Sequence, residues 1–323
     1  MPRFRFFFLL VLGSGAVLGG VHLLWRGPGN RQATPLLKLV GSETVYPYAS
    51  AVAETFSREE NLRAPVIEAV GTGAGIQLFC RGPGPETPSL LMASRPLTQK
   101  DYALCQQNAV PREDIEEIPI GFEGLVFVQS IKAPPLSLTP RALFRALSAS
   151  EPAPSRFWSD VDSRLPHQPL KILGPSRVSG TYESLVALVL HPFCPLGKEL
   201  SCLKIRSDGV YMEMGGNQNL LIQKIRQNPS WVGVVSLAFF QKNSHVLRGI
   251  PLNGIPPSFE NAASRKYPFL RPLFLYMKKN HKGFFPHLGA YVAHFFKKDA
   301  LGPWGYLRTK GLVPLFSGGK HAS

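Results

Sequence analysis

Residues 36–56 have the sequence LLKLVGSETVYPYASAVAETF. The apolar run at residues 36–40 has the length and composition of a buried β-strand, and the apolar residues from Tyr48 to Phe56 recur with helical spacing. We therefore predict a strand, a turn at residues 41–44 and then a helix. This turn carries hydroxyl groups and lies where the carboxyl end of a strand meets the amino end of a helix.

The same order recurs along the chain. Predicted strands also precede the glycine-rich turn at residues 71–75 and the Ser-Gly-Thr turn at residues 179–181, and a helical segment follows each turn. A further predicted strand at residues 90–93 is followed by Ser94 and Arg95. The first N–H groups of a helix lack intrahelical partners and carry the positive end of its dipole, so such turns bind phosphate-like anions.

Each of these turns also has a purely local explanation. Most Ser and Thr residues that precede a helix are N-caps, which bond to the helix itself. Arg95 would offer an oxyanion a forked cation, or it would form a salt bridge on the surface or between lobes. Both explanations stay open at this point.

Short apolar runs alternate with helical segments through the rest of the chain. This pattern predicts an α/β fold with parallel or mixed sheets, and the length suits two lobes. We predict separate strands at residues 118–120 and 125–128, and helices at residues 288–296 and 303–307. The aromatic residues of these last two segments are expected in the core: Tyr291, Phe295, Phe296 and Trp304.

The chain has 323 residues and a formal net charge of +15. Such a charge is typical of proteins that bind nucleic acids, anionic membranes or anionic ligands. The sequence has no Cys/His finger spacing, RNP-type strand or basic-leucine pattern, so we expect no nucleic-acid partner. It has no Cys-x-x-Cys, and its eight histidines are dispersed, so we expect no metal and no other cofactor.

Arg3 and Arg5 precede a nearly unbroken apolar run at residues 6–25. This layout is typical of an export signal, and its length also suits a membrane-spanning helix of about 20 residues. We expect residues 1–35 to be a signal peptide or an N-terminal membrane anchor plus a linker, with the rest of the chain in the periplasm. Cleavage and retention of the segment both stay open.

The sequence contains four cysteines: Cys80, Cys105, Cys194 and Cys202. An even number in an exported protein suggests disulfide bonds. Proximity along the chain favours the pairs Cys80–Cys105 and Cys194–Cys202. Buried free thiols are the alternative.

At these turns the chain resembles the periplasmic phosphate-binding proteins of Pst-type ABC transporters, which belong to the PBP-like superfamily. The resemblance extends from about residue 38 to about residue 315. Its motifs occur in order as GSETVYP (41–47), GTGAG (71–75), ASR (93–95), IGFEGL (120–125), SGT (179–181), DG (208–209), GNQN (216–219), RPLF (271–274) and GYL (305–307).

This resemblance implies a two-lobed periplasmic-binding-protein type II fold with two crossover strands. Lobe 1 would comprise residues 36–128 and 248–323, and lobe 2 residues 129–247. The protein would bind inorganic phosphate or a similar oxyanion between the lobes and deliver it to an ABC-type membrane permease. The ligand-binding residues carried over from the family are Ser42, Glu43, Thr44, Val45, Thr72, Gly73, Ser94, Arg95, Ser179, Gly180 and Thr181.

The chain departs from the family pattern at two turns. Glu43 stands where many relatives have Ser, and Tyr182 and Glu183 follow the Ser-Gly-Thr turn where many have Arg and then Asp. Some relatives use an Asp, aligned with Arg95, to accept a proton from the ligand. We hypothesise that Glu43 takes this role here.

Two alternative functions are a membrane-anchored phosphate sensor or interaction protein and a phosphatase on the same fold. The N-terminal apolar run and the basic residues 265–310 favour the sensor. A phosphatase would need an activated nucleophile or a metal, and Ser179 has no obvious base near it in sequence. We therefore expect a binding protein and not an enzyme.

Overall fold

The computed structural model describes residues 36–150, 155–177, 179–197, 199–215, 218–302 and 304–315. The predicted signal or anchor at residues 1–35 lies outside this part of the chain. Within the described ranges, no helix has the length and apolar character needed to cross a bilayer.

The strands and helices alternate along most of the chain, as predicted. The strands are β1 (Lys38–Gly41), β2 (Val66–Ala69), β3 (Leu90–Ala93), β4 (Ile115–Ser130), β5 (Ile172–Gly174), β6 (Tyr211–Glu213), β7 (Val232–Ser236), β8 (Leu247–Gly249) and β9 (Leu270–Lys278). The helices are α1 (Tyr46–Glu60), α2 (Thr72–Phe79), α3 (Gln99–Gln107), α4 (Pro140–Leu147), α5 (Trp158–Val161), α6 (Gly180–Leu185), α7 (Glu199–Cys202), α8 (Gln218–Gln227), α9 (Leu237–Lys242), α10 (Phe259–Ala263), α11 (Leu288–His294), α12 (Lys298–Leu301) and α13 (Tyr306–Thr309). Helix α6 continues as a π-helical turn, Val186–Leu190.

The strands form one mixed sheet in the order β2-β1-β3-β9-β4-β7-β5-β6, and β8 pairs with β4. Strand β1 is parallel to β2 and β3, and β5 is parallel to β6 and β7. Strand β9 is antiparallel to β3 and β4. The first lobe is built around β1, β2 and β3, and the second around β5, β6 and β7, so the predicted two-lobed α/β fold is confirmed. The residue boundaries given above for the lobes stay a prediction.

Strand β4 joins the two lobes. Its first part, up to Gly124, pairs with β9, and its second part, from Leu125, pairs with β7. We predicted two separate strands here, and this prediction was wrong. The β4–β9 pairing shifts register between Pro119 and Gly121, where Gly121 has φ of +150°. This irregularity lies inside the strand, and β4 continues on both sides of it. A side chain at Gly121 would come 2.6 Å from the carbonyl oxygen of Val313, so only glycine fits this irregularity.

Apolar clusters fill both lobes. One cluster contains Phe127, Trp158 and Tyr267, and another contains Phe56 and Tyr291. Burial of each such aromatic side chain contributes about 1.5–3 kcal/mol to folding. Leu39 and Val40 are neighbours on β1 but belong to different clusters, so apolar residues cover both faces of the sheet there.

The aromatic residues near the carboxyl end divide between core and surface. Tyr291 and Phe295 are fully buried, as predicted. Phe296 is 44% exposed and Trp304 92% exposed, so their predicted place in the core is wrong. Helix α11 packs on α1 through one face only, and Tyr291 contacts Phe56 there. Phe296 lies in the turn after α11, which ends at His294, so the helical spacing that predicted its burial does not extend to it.

Both predicted disulfide bonds are confirmed. Cys80, at the carboxyl end of α2, is bonded to Cys105 on α3, and Cys194 is bonded to Cys202 on α7. The first bond spans 25 residues and includes β3 in its loop. It therefore fixes the carboxyl end of α2 to α3, and the loop that it closes includes Ser94.

A buried polar cluster fixes the loop ahead of β3 to the end of β9. Lys278, with no exposed surface, donates to the carbonyl oxygen of Gly82 and to Oγ1 of Thr87, both at 2.6 Å. His281 is also fully buried, with Nε2 at 3.1 Å from the carbonyl oxygen of Pro83 and Nδ1 at 2.9 Å from Oγ of Ser89. A carbonyl oxygen only accepts, so Nε2 carries the proton of the neutral ring.

We predict that His281 makes the fold sensitive to acid. Burial lowers the pKa of His281 to about 4, and the nearby Lys278 charge acts in the same direction. Between pH 6.5 and 4 the unfolded chain binds a proton here that the folded chain does not, so stability falls as the pH falls. Acidification from pH 7 to 4.5 lowers the free energy of unfolding by about 2.5 kcal/mol through the protonation of His281.

Urea unfolding at pH 7 and pH 4.5 measures this loss. On acidification, the free energy of unfolding of His281→Asn should fall by about 2.5 kcal/mol less than that of the wild type. This difference does not depend on how stable the variant is at pH 7. His287→Asn, at an exposed histidine, is the matched control and should behave as the wild type. Equal acid sensitivity of wild type and His281→Asn would contradict the assignment.

Candidate functional site

The four predicted turns meet around one cavity of about 190 Å³. Turn 41–44 contributes Ser42 and Glu43, and Ser94 and Gly180 come from two other turns. The glycine-rich turn contributes the largest share of the lining: Val70, Gly71, Thr72, Gly73 and Ala74. Glu183 completes the lining from the first turn of α6. The cavity thus lies between strand ends of both lobes.

The amino end of α2 is the main source of hydrogen-bond donors in the cavity. Among the described residues, none accepts a hydrogen bond from the backbone N–H of Thr72, Gly73 or Ala74. These three amides belong to the first turn of the helix, where no intrahelical partner exists. They therefore offer a ligand three donors and the positive end of a dipole.

Two glycines place α2 close to β1. Gly41 has φ of +130°, and a Cβ there would come 2.1 Å from the carbonyl oxygen of Met92. A Cβ on Gly75 would come 2.5 Å from the Cα of Gly41. Helix and strand can approach this closely only because both positions are glycine, and this approach sets the depth of the cavity.

Thr72 and Ser94 form a buried hydroxyl pair in the lining. They are 3% and 6% exposed, and their oxygens are 3.1 Å apart. Oγ1 of Thr72 also accepts from the N–H of Ser94 at 3.2 Å. A bond between two hydroxyl groups uses one of their two hydrogens, so the other remains available to a ligand.

The turn at residues 41–44 is closed on itself. Oγ of Ser42 accepts from the N–H of Thr44 at 3.2 Å, and the carbonyl oxygen of Ser42 accepts from the N–H of Val45 at 3.2 Å. The amides of Thr44 and Val45 therefore have partners inside the turn. Val45 is fully buried and does not line the cavity, whereas the exposed side chain of Glu43 does.

At the Ser-Gly-Thr turn, only Gly180 lines the cavity. Oγ of Ser179 donates to the carbonyl oxygen of Ser176 at 2.8 Å and accepts from the N–H of Tyr182 at 3.2 Å. Ser179 is thus the N-cap of α6, which is the local explanation considered for it. Thr181 lies in the first turn of α6 and is not part of the lining.

Arg95 forms a salt bridge with Asp101 at 2.7 Å and does not line the cavity. Its side chain is 42% exposed. Burial raises the pKa of Asp101, but hydrogen bonds from Arg95 and Thr98 outweigh it and hold the pKa below its usual range. The structure thus places Arg95 ahead of α3 and pairs it with Asp101 in the first turn of that helix, which is the local role considered for it.

Arg271 is a buried residue beside the site that sequence reasoning did not single out. It lies on β9 directly opposite Glu123 on β4, and its Nη2 is 2.6 Å from Oε2 of Glu123. Its guanidinium also donates to Oγ1 of Thr44 at 2.5 Å and to the carbonyl oxygen of Gly180 at 2.6 Å. The available signal was a charge inside each of two strands whose neighbouring residues are mainly apolar, Glu123 in β4 and Arg271 in β9.

The charged side chains that the structure describes in the cavity lining are all acidic. Two carboxylates, Glu43 and Glu183, line the cavity, and no lysine or arginine among the described residues does. Next to the site, burial raises the pKa of the Tyr48 phenol, the Glu123 charge raises it further, and Arg271 opposes both. The described residues contain no group of three or more His, Cys, Asp or Glu suited to a metal. Neutral donors therefore dominate the cavity.

Known proteins are similar to this chain over most of its length. A family model for the PBP superfamily domain matches residues 28–299. Protein SphX of Synechocystis sp. is 28% identical over 252 residues, which are 76% of this chain and 69% of that protein. The phosphate-binding protein PstS of Staphylococcus aureus is 21% identical over 284 residues, which are 86% of this chain and 79% of that protein.

The structure of an ABC-type phosphate transport receptor from Vibrio cholerae has a TM-score of 0.65 at 17% identity. The match covers 86% of this chain and 99% of that one, and it supports the two-lobed fold. The family model spans well over half of the chain and includes every turn around the cavity. The chain therefore belongs to the PBP superfamily, as its turn motifs predicted.

Proposed function

We propose that this protein binds inorganic phosphate, or a similar oxyanion, in the cavity between its lobes and delivers it to an ABC-type permease. It does so in the periplasm and without catalysis. The observation that carries the proposal is the first turn of α2, whose three unpaired amides line the cavity beside the hydroxyl pair Thr72–Ser94. The similarity to the phosphate-binding protein PstS and to the phosphate transport receptor of Vibrio cholerae supports the choice of ligand.

Binding here depends on hydrogen bonds and little on net charge. An oxyanion that leaves water must regain its hydration shell from the protein, or the desolvation cost prevents binding. The α2 amides and the hydroxyl pair come from the first lobe, and Gly180 from the second. A ligand that contacts both sides stabilises the closed arrangement, which is the arrangement a permease would recognise.

The carboxylates favour an oxyanion that still carries a proton. Glu43 and Glu183 would repel a fully ionised ligand, but either can accept a hydrogen bond from a ligand hydroxyl group. Hydrogen phosphate has such a group and sulfate at neutral pH has none. Glu43, which lines the cavity from the turn before α1, is the acceptor we propose.

We predict that Thr72→Val weakens phosphate binding ten- to a hundredfold. The variant keeps the shape of the side chain but removes the hydroxyl group, and a hydrogen bond to a charged ligand contributes about 1.5–3 kcal/mol. Thr55→Val is the matched control, because Thr55 is a buried threonine on α1 that does not line the cavity.

Isothermal titration of ligand-free protein with phosphate measures both variants. Equal affinity of Thr72→Val and Thr55→Val would contradict the place of the site. Absence of phosphate binding by the wild type would overturn the proposed ligand. Turnover of a chromogenic phosphate ester would overturn the proposal that the protein is not an enzyme.

We predict that Glu43→Gln weakens phosphate binding and relaxes discrimination against sulfate. The amide can donate to a fully ionised oxyanion, whereas the carboxylate only accepts. Titration with phosphate and with sulfate gives the ratio of the two affinities, and Glu54→Gln, at an exposed position of α1, is the control. If Glu43→Gln leaves affinity and selectivity unchanged, the acceptor role is wrong.

A further inference from the structure

Arg271 lies where the chain passes between the lobes. Strand β4 changes its pairing partner after Gly124, one residue beyond Glu123, and β9 begins one residue before Arg271. Glu123 and Arg271 are direct register partners on these two strands. The guanidinium is therefore held at the crossing point, where relative motion of the lobes is smallest, and within reach of both.

The guanidinium bonds to one turn from each lobe. Nη2 donates to Oγ1 of Thr44, in the turn after β1, and Nη1 donates to the carbonyl oxygen of Gly180, in the first turn of α6. These two turns are themselves close, since a Cβ on Gly180 would lie 3.1 Å from Oγ1 of Thr44. Arg271 thus connects the two sides of the cavity directly.

Glu123 makes this connection reversible. The side chain of Arg271 is 6% exposed, and a buried cation without a carboxylate would be costly. Its bond to Glu123 lies across the β4–β9 ladder and does not depend on the position of α6. When the second lobe moves away, Arg271 gives up only the carbonyl of Gly180 and keeps its countercharge.

We propose that Arg271 is the positioning residue that holds the turn at Thr44 and the turn at Gly180 together in the closed form, with Glu123 setting its orientation. This role rests on the proposed function, because the closed form is the one in which the lobes would hold a ligand between them. In this role Arg271 does not contact the ligand. Its charge is balanced by Glu123, so it sets the geometry of the cavity and adds no net charge to it.

Arg271→Lys tests the role, because an ammonium group cannot span three acceptors in the plane of a guanidinium. Arg177→Lys is the matched control. Arg177 pairs with Glu213 at 2.8 Å and lies 3.5 Å from the carbonyl oxygen of Ile205, all within the second lobe. Thr44→Val removes one acceptor while the pair with Glu123 stays intact, and it serves if Arg271→Lys does not fold.

Three measurements are compared: the Kd for phosphate by calorimetry, the radius of gyration by small-angle scattering with and without phosphate, and the melting temperature of ligand-free protein. We expect Arg271→Lys to raise Kd at least tenfold and to give a larger radius of gyration than the wild type, in both states. Thr44→Val should act in the same direction more weakly. Arg177→Lys should leave Kd and radius within error of the wild type.

The outcomes separate this role from other causes. A lower melting temperature with unchanged Kd and unchanged radius would show a merely structural salt bridge and overturn the proposal. A wild type that does not bind phosphate would overturn the proposed function. Scattering of the ligand-free variants would then still decide the role of Arg271, because the bonds described here join the two turns without any ligand.

Discussion

The unpaired amides at the start of α2 are the constraint on which the site depends. The first N–H groups of a helix have no intrahelical partner, so those of Thr72, Gly73 and Ala74 remain available to water or to a ligand. Around them, Gly41 and Gly75 allow α2 to approach β1, and the disulfide bond at Cys80 holds the other end of the helix. The hydroxyls of Thr72 and Ser94 extend the same row of donors.

Local features of this fold could be predicted from the sequence, and long-range ones could not. Apolar periodicity located most strands and helices, and the four turns were found because strand ends and helix starts have recognisable composition. Within the turns, the sequence did not show which hydrogen-bond donors already have an acceptor inside the protein. The N–H of Thr44 donates to Ser42, the hydroxyl of Ser179 donates to Ser176, and the guanidinium of Arg95 pairs with Asp101, although each was expected to face the ligand.

The pair Glu123–Arg271 shows the limit of such reasoning most clearly. The two residues are 148 positions apart, and their contact depends on the register of two long strands. Even a correct assignment of both strands leaves the register open, and a shift of one strand by one residue would place the two side chains on opposite faces of the sheet. The continuity of β4 was missed for a related reason, because a glycine inside an apolar strand also predicts a break.

The unbroken course of β4 through both lobes has a mechanical consequence. A strand shared by two bodies resists sliding and stretching, and β4 changes its pairing partner between Gly124 and Leu125 without a break in the chain direction. Opening of the proposed binding cleft would therefore twist β4 near this change of partner, and the strand pairing on each side of it would move with its own lobe.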